Sequence, residues 1–134
     1  MDALAELPIE KRTKEMQTAI ERGVEFLLMH RLFKADHHQF RVINKVWLKL
    51  SFPWFFYDIL RGLSVVTKLG YARDERVDDA LDILLRKQNA EGKWMLERTP
   101  SGRMHTTLEQ KGKPSKWITL HALKVLNRVW MDRQ

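Results

Sequence analysis

The 134-residue chain is long enough for one small core and too short for two comfortable ones. It contains no cysteine, which excludes disulfide staples and thiolate metal sites. Its formal charge of +7 is spread along the sequence and is densest from Lys111 onward, the balance of a basic soluble surface rather than a nucleic-acid footprint.

No apolar run reaches the roughly 18 residues of a membrane span, and Met1-Asp2-Ala3-Leu4 lacks the basic-then-apolar layout of a signal peptide. The expected location is therefore cytoplasmic, with a single helical domain over 1–134 whose residues 1–9 form a flexible tail. Helical spacing begins near Glu10, where Met16, Ile20, Gly23, Val24 and Leu27 fall on one face up to Arg31 while Lys11, Lys14, Glu21 and Glu25 face water. This pattern predicts a one-sided outer helix. Val46, Leu48, Leu50 and Phe52 then alternate with Lys45, Trp47, Lys49 and Ser51, a period of two that predicts a short strand.

A second helix is expected from Pro53, a residue suited to a first helical turn, to Leu69, with Gly70 as its stop. It is apolar nearly all round, so burial on most faces is expected. Asp74 caps a third helix, with Glu75 and Asp78 in its positive first turn and Val77, Ala80, Leu81, Leu84 and Gln88 as its buried stripe. From Trp94 to Lys116 the turn signal Pro100-Ser101-Gly102 separates two short β-like segments, and the exposed run Lys111-Gly112-Lys113-Pro114 leads to a fourth helix from Ser115 to Met131. The order is outer, inner, outer, inner.

The third helix closes on Gln88-Asn89-Ala90-Glu91-Gly92-Lys93-Trp94. Gln88 can bond exposed backbone at the helix end, Gly92 permits a positive φ, and Trp94 can lie over the amide as a lid. With Ala80, Ile83 and Leu84 before it, this stretch resembles the QW repeat of squalene–hopene cyclases. A degenerate copy lies upstream, where Gly23, Phe26 and Leu27 occupy the places of Ala80, Ile83 and Leu84, and Arg31 stands for Gln88. Downstream of each copy, Tyr57, Leu60, Gly62, Leu63 and Val65 align with Trp117, Leu120, Ala122, Leu123 and Val125. The period is just under about sixty residues, the signature of stacked supersecondary units that cannot bury their apolar faces alone.

From about Thr13 onward the chain thus looks like the terpenoid cyclase and protein prenyltransferase group. The resemblance implies an all-α fold of αα-hairpin repeats, two outer/inner pairs forming part of an α/α toroid. In that group inner helices surround an apolar cavity and catalytic residues lie towards their N-termini. Two departures bear on chemistry. The cyclase acid motif Asp-x-Asp-Asp has only Arg76-Val77-Asp78-Asp79 as a counterpart, on an outer helix, and the prenyltransferase zinc site needs a cysteine. Inherited catalysis is not expected, and Asp78 and Asp79 read as surface acids.

The ligand-binding candidates are Tyr57, Asp58, Arg61, Trp117 and His121. Asp58 has two readings: a polar group in a cavity, or the buried partner of Arg61 at i, i+3. His30, His37-His38 and His121 lack the spacing and carboxylate partners of a metal site, so no metal and no cofactor are expected. Met104, His105 and Glu109 read as a solvated loop or as a rim over a pocket, and Phe52, Trp54, Phe55, Phe56 and Tyr57 as core packing or as a contact for a membrane surface or an isoprenoid tail. Two functions stay open. One is binding of an isoprenoid or other apolar ligand; the other is a noncatalytic repeat module for protein interaction or self-association. Two hairpins cannot close a ring, so a partner is expected over the second helix, Trp54 to Leu69: a homodimer centred on Phe52 to Tyr57, or further repeats of a longer chain.

Overall fold

The computed structural model describes residues 1–37, 39–52, 56–101 and 105–134. The chain is all-α, and the described residues hold five α-helices: α1 (Asp2–Glu6), α2 (Lys14–Met29), α3 (Ile59–Lys68), α4 (Asp78–Arg86) and α5 (Lys116–Arg133). Each of the last four starts from a local signal. Thr13 Oγ1 accepts from Met16 N and Ser115 Oγ from Ile118 N, while Asp74 opens a short 3-10 turn that runs straight into α4. Such caps satisfy donors that the first helical turn leaves without partners.

Helix α3 is shorter than the periodicity predicts. Pro53, Trp54 and Phe55 lie outside the described residues, and Phe56 and Tyr57 precede the helix. Asp58 is its cap, its carboxylate accepting from Arg61 N at 2.9 Å. The helix stops at Leu69, and Gly70 follows with φ +92°. Seven of its residues are buried, because α3 packs against α1, α2, α4 and most extensively α5. The others wrap it: α2 contributes Ile20, Val24 and Leu28, α4 contributes Ala80, Leu81 and Leu84, and α5 contributes Ile118, Ala122 and Val125.

Two further expectations are corrected. Residues 1–9, expected as a flexible tail, hold α1, docked on α2 and α3 with Ala5 buried. Gly23 is the reason it fits: a Cβ there would lie 2.5 Å from the Met1 sulfur. Asp2 pairs with Arg61 and Glu6 with Lys68, tying α1 to the central helix. The expected strand over Val46 to Phe52 is instead a 3-10 turn, Lys45–Leu48, capped by Asn44, whose side chain accepts from Val46 N. β pairing among the described residues is confined to isolated bridges, Lys34 with Val42, Ser51 with Arg98 and Met95 with Pro114. The period-two alternation does not mark a face here: Leu50, Ser51 and Phe52 are all buried and Val46 is exposed.

The turn after α4 is built largely as its residues suggest. Asn89 Oδ1 accepts from Glu91 N and Lys93 N, Gly92 N donates to Asn89 O, and Gly92 has φ +75°. Trp94 is fully buried, and its Nε1 donates to Leu84 O at 2.7 Å, which satisfies one of the last carbonyls of α4. Gln88 differs from expectation. It is exposed rather than part of the buried stripe, and its amide reaches only Gly92 O at 3.3 Å. Gly92→Val should lower stability by about 1 kcal/mol or more through its left-handed φ. Crowding contributes little, since the nearest atom to a Cβ would be Gln88 Nε2 at 3.6 Å. Thermal melting checks this, and an unchanged midpoint would show that the turn does not need glycine.

Candidate functional site

Tyr57 stands at the N-terminal side of α3 with its hydroxyl donating to Leu32 O at 2.6 Å. Gly62 makes room for it, because a Cβ at that position would lie 2.7 Å from the Tyr57 oxygen. The carbonyl it holds belongs to a reversal in which Arg31 and Leu32 both have positive φ. Burial first, and the neighbouring Asp58 carboxylate second, push the phenol well above its ordinary range. Tyr57 also meets Trp47 edge to face, with ring centroids 5.2 Å apart. Together with Phe26, Leu27, His30, Leu32 and Ile43 these rings line an apolar pocket of about 270 Å³. Tyr57 is the one ligand candidate on its wall.

Asp58 is 1 % exposed and its oxygens are used. Oδ1 accepts from Arg61 N, and Oδ2 accepts from both Ser51 N and Ser51 Oγ at 2.9 Å. Burial raises its pKa, and those hydrogen bonds work against the rise. The expected ion pair with Arg61 does not form. The guanidinium turns to Asp2 at 3.2 Å and to Phe56 O, since Asp58 is directed at backbone donors of its own cap. No hydrogen bond or ion pair among the described residues joins Asp58 or the Arg61 guanidinium to His121.

Trp117 and His121 sit on α5. Trp117 is 37 % exposed, and Lys116 lies over its ring. His121 is half-buried, and burial first, then Lys124 and Arg128, lower its pKa, so the ring is neutral near pH 7. The five candidates therefore divide among a pocket wall, a buried cap, a surface ion pair and α5. They do not form one catalytic constellation.

Several other polar residues make contacts within the fold. Asp79 accepts from Lys34 at 2.7 Å and Arg31 at 2.9 Å, which hold its carboxyl below the usual range, and Asp78 pairs with Arg133. Arg76 bridges Asp74 and Glu25. His30 Nδ1 contacts Lys34 O and His37 lies near Asp36, while His38 falls outside the described residues. Among the described residues no three His, Asp or Glu side chains are gathered as metal ligands. Glu109, expected on a rim, accepts from Lys116 N at the start of α5; His105 is exposed and Met104 lies outside the described residues. Among the described residues no helix is long and apolar enough to cross a membrane.

A surface that periodicity did not single out lies across α4 and α5. Leu85, Leu120, Leu123, Trp130 and Met131 are exposed there. Leu85, Leu126, Val129 and Trp130 share one depression, and Leu120 and Leu123 share a second beside Lys93. Helix α5 is apolar around much of its circumference, so its sequence alone does not say which side is covered. Comparison with protein-family models, curated proteins and solved structures finds no match.

Proposed function

We propose that this chain is a noncatalytic helical-repeat module, built from two αα-hairpins of the cyclase and prenyltransferase type, that binds through the exposed apolar face of its second hairpin. The observation that carries the reading is that surface: Leu85 of α4 and Trp130 of α5 are exposed in one depression, and Leu120 and Leu123 of α5 are exposed in a second. Apolar area of this kind is worth roughly 25 cal/mol per Å² when covered. The polar residues point the same way, because Asp58, Asp79 and Arg61 are engaged in a cap or in ion pairs.

The test compares the wild type with Leu120→Glu/Leu123→Glu, in which both changes fall on exposed positions and should move stability by about 0.5 kcal/mol or less each. The wild type is expected either to take up an apolar fluorescent dye or to be already associated, and the variant to do neither. A monomeric wild type that binds no more dye than the variant overturns the reading. A second reading, capture of an isoprenoid or other apolar ligand, is favoured by the aromatic pocket of Phe26, Trp47 and Tyr57. It predicts that a fluorescent polyprenyl probe binds the wild type and loses affinity in Trp47→Ala, while Leu120→Glu/Leu123→Glu leaves that binding unchanged.

A further inference from the structure

We infer that the pocket beside Tyr57 binds a flat aromatic ring system carrying one N–H or O–H donor, of the size and kind of an indole, with His30 Nε2 as the acceptor. The inference rests on the second reading above, that this pocket takes an apolar ligand, and adds the chemical class of that ligand. The walls supply the first observation. Four rings, Phe26, His30, Trp47 and Tyr57, line a volume of about 270 Å³. They stand as two edge-to-face pairs, Trp47 with Tyr57 at 79° and Phe26 with His30 at 67°. Rings fixed near right angles offer both faces and edges, so a further aromatic ring finds favourable contacts on more than one side. The volume is less than twice that of a cavity of about 150 Å³ that holds benzene, which suits two fused rings. A polyprenyl tail of several units would lie partly in water.

Polarity supplies the second observation. The Tyr57 hydroxyl proton is committed to Leu32 O. His30 Nδ1 lies 3.1 Å from Lys34 O, and because a carbonyl only accepts, the neutral ring carries its proton on Nδ1 and its lone pair on Nε2. Among the described residues nothing donates to Nε2. A hydrocarbon laid over His30 would cover that nitrogen without a partner, at a cost, whereas a ring N–H or O–H satisfies it. The pocket thus selects a donor on an otherwise apolar guest.

The third observation is that the pocket is formed in advance. Among the described residues the non-glycine positions with positive φ are Arg31, Leu32, Gln39 and Phe40, all in the loop between α2 and the wall residue Ile43. Backbone of this kind persists only where its surroundings fix it. Here Leu32 N donates to Leu27 O and Ile43 N to Phe33 O, while Tyr57 holds Leu32 O across the space that Gly62 leaves. Leu32 and Ile43 are therefore set in the wall before a ligand arrives, and binding does not have to order them.

An NMR titration of the full chain with indole and with benzofuran, a near-isostere that lacks the N–H, tests this. Indole is expected to bind about three- to tenfold more tightly, the margin of one hydrogen bond, with shifts at Trp47 and Ile43. The imidazole Nε2 resonance of His30 should move with indole and stay in place with benzofuran. His30→Phe keeps a ring and removes the acceptor, so indole should fall to the affinity of benzofuran, which itself should be unchanged. Should that variant fail to fold, the Nε2 resonance of the wild type decides alone. Equal affinities for the two ligands, or shifts confined to residues outside the pocket, overturn the inference. Binding of a fluorescent polyprenyl probe without binding of indole overturns it and leaves the second reading standing. If none of the three binds, both fall.

Discussion

Trp94→Ala is expected to destabilise the chain by about 4–5 kcal/mol, the upper part of the range for truncating a large buried aromatic. The indole is fully buried in the cluster that joins Leu84, Leu96 and Ile118. Two losses combine: a cavity the size of the ring opens, and Leu84 O loses the Nε1 donor that satisfies it near the end of α4. Trp94→Phe separates them, because it keeps most of the volume and removes the donor. Chemical denaturation should place the phenylalanine variant between wild type and alanine, losing about 1–3 kcal/mol. If both substitutions cost the same, the carbonyl contact rather than packing dominates. If neither moves the midpoint, the turn does not close the repeat.

The features legible in the sequence are those set by local chemistry. Asp74 and Ser115 are short acceptors directly before helical spacing begins, and each caps the predicted start, whereas the first long helix, expected from Glu10, begins after the cap Thr13. Gly70 and Gly92 were expected where the chain must reverse, and both have positive φ. Asp58 shows where the local signals conflicted. Pro53 and the aromatic run after it suggested an early helix start, which put Asp58 inside the helix and directed attention to Arg61 at i, i+3. As the cap it faces Ser51 instead, a contact across seven residues that helical periodicity does not encode.

The misreadings depend on one another. Asp2–Glu6 is too short to show a period, and its helix forms against a notch at Gly23 that only the tertiary structure reveals. With that helix missing from the reading, the second predicted helix looked short of neighbours, and the dimer was expected over its face. The structure surrounds α3 with α1, α2, α4 and α5, while Trp54 and Phe55, at the centre of the expected interface, lie outside the described residues. The unsatisfied apolar surface moves to α4 and α5. Sequence spacing registers Leu60 and Leu120 as equivalent, and only the stacking order makes one core and the other surface. The candidate site was legible only in part: Tyr57 lines a pocket without Asp58, Arg61, Trp117 or His121, and the Trp47 and Phe26 that complete it come from elements whose approach no local pattern specifies.

Asp58→Ala should cost about 3 kcal/mol, the sum of a lost helix cap and buried donors left without an acceptor. Arg61 N, Ser51 N and Ser51 Oγ all donate to this carboxylate, and water does not readily replace it at a site 1 % exposed. Arg61→Ala should cost much less, about 1 kcal/mol or below, because its guanidinium meets an Asp2 carboxylate that is more than half exposed. The double variant is the informative one. A buried Asp58–Arg61 ion pair would make Asp58→Ala costlier than the double change, because the lone guanidinium would remain buried. In this structure the two side chains serve separate contacts, Ser51 and the cap on one side and Asp2 on the other. Their effects should therefore add to within about 0.5 kcal/mol. A coupling energy well above that, measured by urea denaturation of the four proteins, would restore the ion pair and displace Asp58 from its role as a backbone cap.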